Sequence, residues 1–522
     1  MYERLRLSLL ILALWLGASG CVIGPRFTRC PGEGGRGWVE LDSEHYTLRT
    51  DLPPEQAREA MGELERMRIV LLAGMWPSAL RQPMAKLSVY VLADWKEFKG
   101  LYPRRVQALY HRSETEALIV LSGPPSAWAR RYSALSMDAS SRLNHELAHY
   151  LSSYVLLRQP LWLSEGLAEY LETAQLTADG RSAVLGVPNK DATYVAARML
   201  RESVDSAQGG GVVPGTLAWE PGLNFEEQDR ELSSMYAGSW ALVHWLIHER
   251  AERFAEFQTR LSQGMAPDEA LRGALPELAQ GTMDQTLWEY LRGRPPPPRQ
   301  VVVPPTDLAF VERTLEDAEV HATRSKLAAL GASMARQAAL VKNRQVLARK
   351  ELDEALRIDP QGLPALAVKS AEASREEKLT LARTAVRAHP DDSGAWLLLG
   401  AALESDEAAQ EEREAAYKKA LSLEPRSIPA TKGLAWLYVT QGRSAEALPL
   451  AQWAVSLAPW SPSALDTLAL ALAGQGRCEE ALQLEHRALG HLREQRSTEQ
   501  EHVLRERLAK LADGSLCKPS PP

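Results

Sequence analysis

The chain carries little excess charge of either sign and few cysteines. Its 522 residues hold 60 Lys and Arg against 67 Asp and Glu, a net charge of −7. Nucleic-acid binding needs a basic footprint for phosphate, so this balance excludes that class of partner. Only four cysteines are present, and none of their spacings suits a cysteine metal site. Past residue 20 no stretch is long and apolar enough to cross a bilayer. What remains is ordinary for globular protein, 45% hydrophobic and 24% charged, over a length that predicts two or three domains.

The first 20 residues stand apart. Arg4 and Arg6 precede an apolar run from Leu7 to Leu16, and Gly17, Ala18, Ser19 and Gly20 lead to Cys21. A charged start, an apolar middle and a small-residue cleavage site describe an export signal. Ala18-Ser19-Gly20-Cys21 also resembles a bacterial lipobox, which implies lipidation of Cys21, an anchor in the cell envelope facing the periplasm, and, with Val22 following, the outer membrane rather than the inner. Stable anchoring of that kind needs more than one acyl chain. An exported chain keeps disulfides, so Cys478 and Cys517 are a possible pair, while Cys30 has no evident partner.

Residues 21–37 are rich in Gly and polar residues and read as a flexible tether. Residues 38–50, Lys86 to Leu92 and Ala117 to Leu121 alternate like strands, with a helical stretch from Pro54 to about Leu72. The pattern after Ser140 is helical. Pro295 to Pro298 and Pro304-Pro305 mark residues 294–306 as a semi-rigid linker, which divides a domain at 38–293 from a helical domain at 307–515. In the latter, Pro425 recurs at Pro459, Gly442 at Gly476, Ala447 at Ala481 and Ala454 at Ala488, a period of 34. Irregular earlier copies carry Trp396 with Pro425, Ala385 with Pro390, and Ala355 with Pro360. Period, helix-breaking prolines and small residues resemble a tetratricopeptide repeat array, clearest over 391–490, which implies stacked helical hairpins that bind a protein or peptide partner.

The chemistry concentrates in His145-Glu146-Leu147-Ala148-His149. Histidines four apart share one helix face, about 6 Å between side-chain roots, which suits one metal ion. Glu146 points about 100° away, where it can act on an attacking water without ligating the metal. Eleven residues after His149 begins Pro160-Leu161-Trp162-Leu163-Ser164-Glu165-Gly166-Leu167-Ala168-Glu169-Tyr170. A hydrolytic zinc site needs three protein ligands and one open position, and a chain that turns near Pro160 brings Glu165 back within reach. Glu169, one turn on, is placed to accept a hydrogen bond from a ligating histidine.

HELAH followed by WLSEGLAEY resembles the gluzincin metallopeptidases, in particular the peptidase MA-like group. The resemblance implies an α+β fold, a zincin-like domain of mixed sheet plus helices followed by all-α repeats. It implies Zn2+ held by His145, His149 and Glu165, with Glu146 as the catalytic base. The helical stretch Met235 to Leu246 resembles the tyrosine-bearing helix of that group, so Tyr236 is a candidate oxyanion donor, with His244 behind it. Trp162 and Trp240 read as core anchors. The expected function is a lipid-anchored zinc metallopeptidase acting on a protein or peptide substrate, its repeats docking substrate or partner. The alternatives are a repeat scaffold whose zinc domain is structural or silent, and hydrolysis of a non-protein amide such as a peptidoglycan cross-link.

Overall fold

The computed structural model describes residues 26–103, 106–130, 140–188, 190–206, 211–218, 229–279, 282–293, 296–404, 406–495 and 498–517. Cys21 and the export signal lie outside the described residues.

Eleven short strands are described: β1 Val39–Ser43, β2 Tyr46–Thr50, β3 Leu87–Leu92, β4 Leu109–Arg112, β5 Ala117–Ser122, β6 Ala129–Arg130, β7 Ser140–Ser141, β8 Gln175–Leu176, β9 Ser182–Leu185, β10 Arg299–Val302 and β11 Phe310–Thr314. The main sheet runs β11-β1-β2-β3-β5-β4. Its centre is parallel, β2 to β3 to β5, while β1, β11 and the edge strand β4 run antiparallel to their neighbours. The alternation over 38–50 is therefore two strands, split by a turn at Glu44-His45.

The first helices are α1 Pro54–Met75, α2 Trp95–Leu101, α3 Arg142–Val155, α4 Leu161–Leu171, α5 Lys190–Asp205, α6 Val212–Ala218, α7 Asp229–Glu249, α8 Ala251–Ser262, α9 Pro267–Ala274 and α10 Met283–Arg292. Then follow α11 Asp317–Met334, α12 Ala338–Ile358, α13 Leu363–Glu372, α14 Arg375–Ala388, α15 Ser393–Ala402, α16 Gln410–Leu423, α17 Ile428–Thr440, α18 Ser444–Leu457, α19 Pro462–Ala473, α20 Cys478–Gln495 and α21 Thr498–Ala512.

Successive side chains of a strand point to opposite faces. Val89, Val91, Ile119 and Leu121 pack against α1 and α3 on one face. Tyr90, Leu92, Leu118 and Val120 pack against α2 and α11 on the other. Burial on both faces explains why β5 is apolar almost throughout, reading ALIVLS.

Two domain assignments need correction. Within the 294–306 segment, Arg299–Val302 is not a free spacer, because β10 pairs with β9; just beyond it, β11 completes the edge of the main sheet beside β1. Proline fixes φ in the extended region, so a proline run continues into strand geometry as readily as into a linker. Nor does the helical domain begin cleanly at 307, because α11 covers one face of the sheet. A Cβ on Gly331 of α11 would lie 2.4 Å from the Leu101 carbonyl oxygen of α2, so glycine permits that close approach.

The described part of the tether is also packed. Cys30 is buried, and Arg324 of α11 donates to its Sγ at 2.9 Å while lying over the rings of Phe27 and Trp38. Glu97 accepts from the Thr28 amide. Composition reported polarity here but not the cation that holds it.

From α13 onward the helices form antiparallel hairpins, α13 with α14 through α19 with α20, as the period requires. Cys478 and Cys517 are disulfide-bonded, Cα to Cα 5.7 Å, and Cys30 is free. Among the described residues no helix is long and apolar enough to cross a membrane.

Candidate metal centre

Helix α3 begins at Ser141, whose hydroxyl accepts from the Asn144 amide. Its apolar positions Leu143, Leu147, Leu151 and Tyr154 are buried, which turns His145 and His149 toward α4. A short connection returns the chain, and Gly166 lets α7 cross α4 closely: a Cβ there would lie 2.5 Å from the Ser239 carbonyl oxygen. Glu165 is thereby fixed opposite the histidines.

Both Nε2 atoms, of His145 and of His149, lie 3.5 Å from the same oxygen, Glu165 Oε2. That oxygen is buried and receives no hydrogen bond. The two imidazoles meet edge to face with centroids 4.9 Å apart. Ligands of a tetrahedral zinc, with bonds of about 2.0–2.2 Å, are separated from one another by about 3.4 Å. The donor set, its spacing and the orphaned oxygen therefore fit a divalent ion.

The surroundings fix the other ring atoms. His149 Nδ1 shares a 2.9 Å hydrogen bond with Ser164 Oγ, and His145 Nδ1 lies 3.5 Å from Glu172 Oε2. The bond to Ser164 leaves His149 Nε2 to face Glu165, and the Glu172 carboxylate forms an ion pair on the Nδ1 side of His145. Glu172 is the residue that sequence reasoning missed. Glu169 is buried and groups with His145 and Glu172, all three offering atoms within 4.8 Å of one another. Glu169 lies beside His145 as its place in the helix predicts, and Glu172, just past the end of α4, forms an ion pair with His145.

The electrostatics favour positive charge. Burial disfavours a charged His145, but Glu165 and Glu172 outweigh it and hold its pKa well above the ordinary range. Burial likewise works against an ionised Glu165, yet the two histidines bring it down to about 2.

Glu146 stands beside this cluster. Its Oε2 accepts from the Tyr110 amide of β4 at 2.7 Å. The Tyr110 ring stacks on His149 with centroids 6.3 Å apart. Neither role of Tyr110 is visible in sequence, because it lies 35 residues before the motif in a strand with no strong pattern.

Tyr236 is half-buried on α7, one turn before the Ser239 carbonyl that touches Gly166. His244 lies elsewhere, with Nδ1 hydrogen-bonded to Tyr290 of α10 at 2.7 Å. Trp162 and Trp240 are buried, Trp162 stacked flat on Phe257.

This arrangement defines an α+β domain with a His-His-Glu cluster, followed by a tetratricopeptide-like helical repeat. A family described as "Protein of unknown function (DUF1570)" matches residues 141–267, from the cap of α3 through α8. No curated protein matches the chain. Among solved structures, TTC0263, a thermophilic TPR protein of Thermus thermophilus, is 20% identical over 37% of this chain and 98% of its own, TM-score 0.27. YrrB, a TPR protein with an unusual peptide-binding site, is 18% identical over 36% and 92%, TM-score 0.25. Yeast Tom70 is 15% identical over 62% and 70%, TM-score 0.29.

Proposed function

We propose that this chain is a zinc-dependent hydrolase of peptide bonds. The observation that carries the reading is the convergence of His145 Nε2 and His149 Nε2 on one orphaned Glu165 oxygen at 3.5 Å. Zinc held there by His145, His149 and Glu165 would supply Lewis acidity toward a scissile carbonyl. Glu146 takes the proton of the attacking water and returns it to the leaving amine. The Tyr110 amide holds the Glu146 carboxylate through Oε2 while it moves the proton. Glu172 and Ser164 hold the imidazoles in the tautomers that face Glu165. Tyr236 donates its hydroxyl to the oxyanion as it forms. The helical repeats offer a concave surface suited to a peptide or protein partner.

We place the protein in the cell envelope, exported and lipidated at Cys21. The disulfide between Cys478 and Cys517 supports an oxidising compartment. Mass spectrometry of the N-terminal peptide from the native host tests this, and an unprocessed Met1 overturns it.

For the hydrolase, the experiment is metal analysis of the purified full chain beside cleavage of an unbiased peptide library. Glu146→Gln is expected to keep its zinc and lose about 10²- to 10⁴-fold in rate. Undiminished cleavage by that variant overturns the assigned base. A zinc-loaded wild type that leaves both the peptide library and purified cell wall intact favours the alternative, a repeat scaffold with a silent metal domain. That alternative draws on the extent of the repeat, which runs from α13 to α20.

A further inference from the structure

Strand β4 is four residues long and lies at the edge of the sheet, laddered among the described residues only to β5. Short edge strands are weakly held by their own ladder. Yet β4 carries Tyr110, whose amide fixes Glu146 and whose ring stacks on His149. Something beyond β5 must hold it in place.

The repeat domain supplies that hold. The turn after β4 closes by a hydrogen bond from the Ser113 amide to the Glu116 carbonyl. Trp460, buried in the connection between α18 and α19, donates its indole N–H to the Ser113 carbonyl at 3.1 Å. Glu114 at the tip accepts from Ser463 of α19 and lies 3.4 Å from Lys432 Nζ of α17. Lys432 in turn donates to Ser463 at 2.9 Å. The Arg112 guanidinium, at the end of β4, lies over the Trp460 ring at 5.6 Å.

The same tryptophan reaches the metal helix. Its ring packs edge to face on Tyr154, near the C-terminus of α3, with centroids 5.1 Å apart. The Tyr154 hydroxyl donates to the Leu457 carbonyl at the end of α18. One residue of the repeats thus touches both α3, which carries the two histidines, and the end of β4, which carries Tyr110.

We propose that the repeat domain is a positioning device for the candidate site: Trp460, Lys432 and Ser463 clamp the Ser113–Glu116 turn to the end of α3, which sets β4 so that Tyr110 holds Glu146 and packs on His149. These are positioning residues, since none of them touches the cluster. The clamp stands on geometry alone. Its consequence for rate rests on the hydrolytic reading above, where displacement of a reacting group by about 1 Å costs about 100-fold.

The test uses the full chain labelled with ¹⁵N-tyrosine, with Trp460→Phe and Glu114→Gln combined. Glu114→Gln preserves volume and removes the charge, while Trp460→Phe removes the indole N–H and keeps an aromatic ring against Tyr154, at the cost of a small gap in the core. Glu146→Gln identifies the Tyr110 amide resonance by moving it. In the double variant that resonance is expected to move the same way, and amide exchange at Tyr110 to quicken at least 10-fold. Zinc stoichiometry stays at the wild-type value, because its ligands sit on α3 and α4. Turnover is expected to fall about 10-fold with KM within twofold, and Glu114→Asp alone to recover most of it. An unmoved resonance with unchanged exchange overturns the clamp. A moved resonance with unchanged turnover overturns its role in positioning. If the wild type hydrolyses nothing, the hydrolytic reading fails on its own, and the amide measurements decide the clamp.

Discussion

Two histidine pairs in this chain have the same helical spacing and opposite surroundings. His145 and His149 on α3 face Glu165 and Glu172, and carboxylates hold His145 well toward its charged form. His244 and His248 on α7 lie tilted with ring centroids 4.5 Å apart among Tyr170, Trp240 and Tyr290. Burial first, then the neighbouring His248, pushes His244 down to about 4. Burial and Arg299 lower His248 too, with Glu249 offsetting only part of this. Spacing puts two imidazoles on one face in both cases. What differs is the partner delivered from elsewhere in the fold: a carboxylate makes a cluster with the donor set of a cation site, and aromatic rings make an apolar core with a neutral histidine.

The comparison can be broken directly. His149→Ala is expected to reduce bound zinc from one ion per chain to none, while His248→Ala leaves the stoichiometry intact. Equilibrium dialysis with mass-spectrometric metal analysis reads both, and equal loss in the two variants would erase the distinction. A smaller effect is expected at Glu172, which pairs with His145 on its far nitrogen. Glu172→Gln should weaken zinc affinity about 10- to 100-fold with the stoichiometry unchanged, as measured by competition with a chelator. Unaltered affinity would remove Glu172 from the centre.

The smallest effect concerns pH and sharpens the contrast from the other side. Because the folded-state pKa of His244 is depressed, the unfolded chain binds the extra proton between about pH 6.5 and about pH 4. The contribution of neutral His244 is complete above about pH 6.5 and is lost as pH falls toward 4, of the order of 3 kcal/mol. Thermal unfolding of wild type and His244→Gln between pH 4 and 7 should show the steeper acid loss in the wild type. His321 carries the opposite sign. Burial opposes its charge, but Cys30 and Glu351 raise it to about 9, so its contribution is present below about pH 6.5 and fades as pH rises toward 9.

Much of this was legible in the amino-acid order. The repeat announced itself because stacking forces the same small residues and prolines to recur at fixed distance, as Gly442 and Gly476 do. The strands at Leu87–Leu92 and Ala117–Ser122 showed because burial on both faces demands apolar runs. The HELAH helix and Glu165 were visible because the three converging side chains are close in sequence. Tyr110 escaped because its contribution to Glu146 is a backbone amide, which any residue type supplies. Glu172 escaped because it lies beyond the helical repeat that points to Glu169.

By itself, then, the sequence determined the local elements, the imidazole pair and the periodic helices, since each depends on residues within a turn or a repeat of one another. The tertiary structure alone decided which histidine pair meets carboxylates, that the proline-rich segment becomes sheet edge, and that Trp460 grips a turn almost 350 residues earlier. Those outcomes depend on which surfaces share a core, and packing between distant segments leaves no period in the chain for a reader to find.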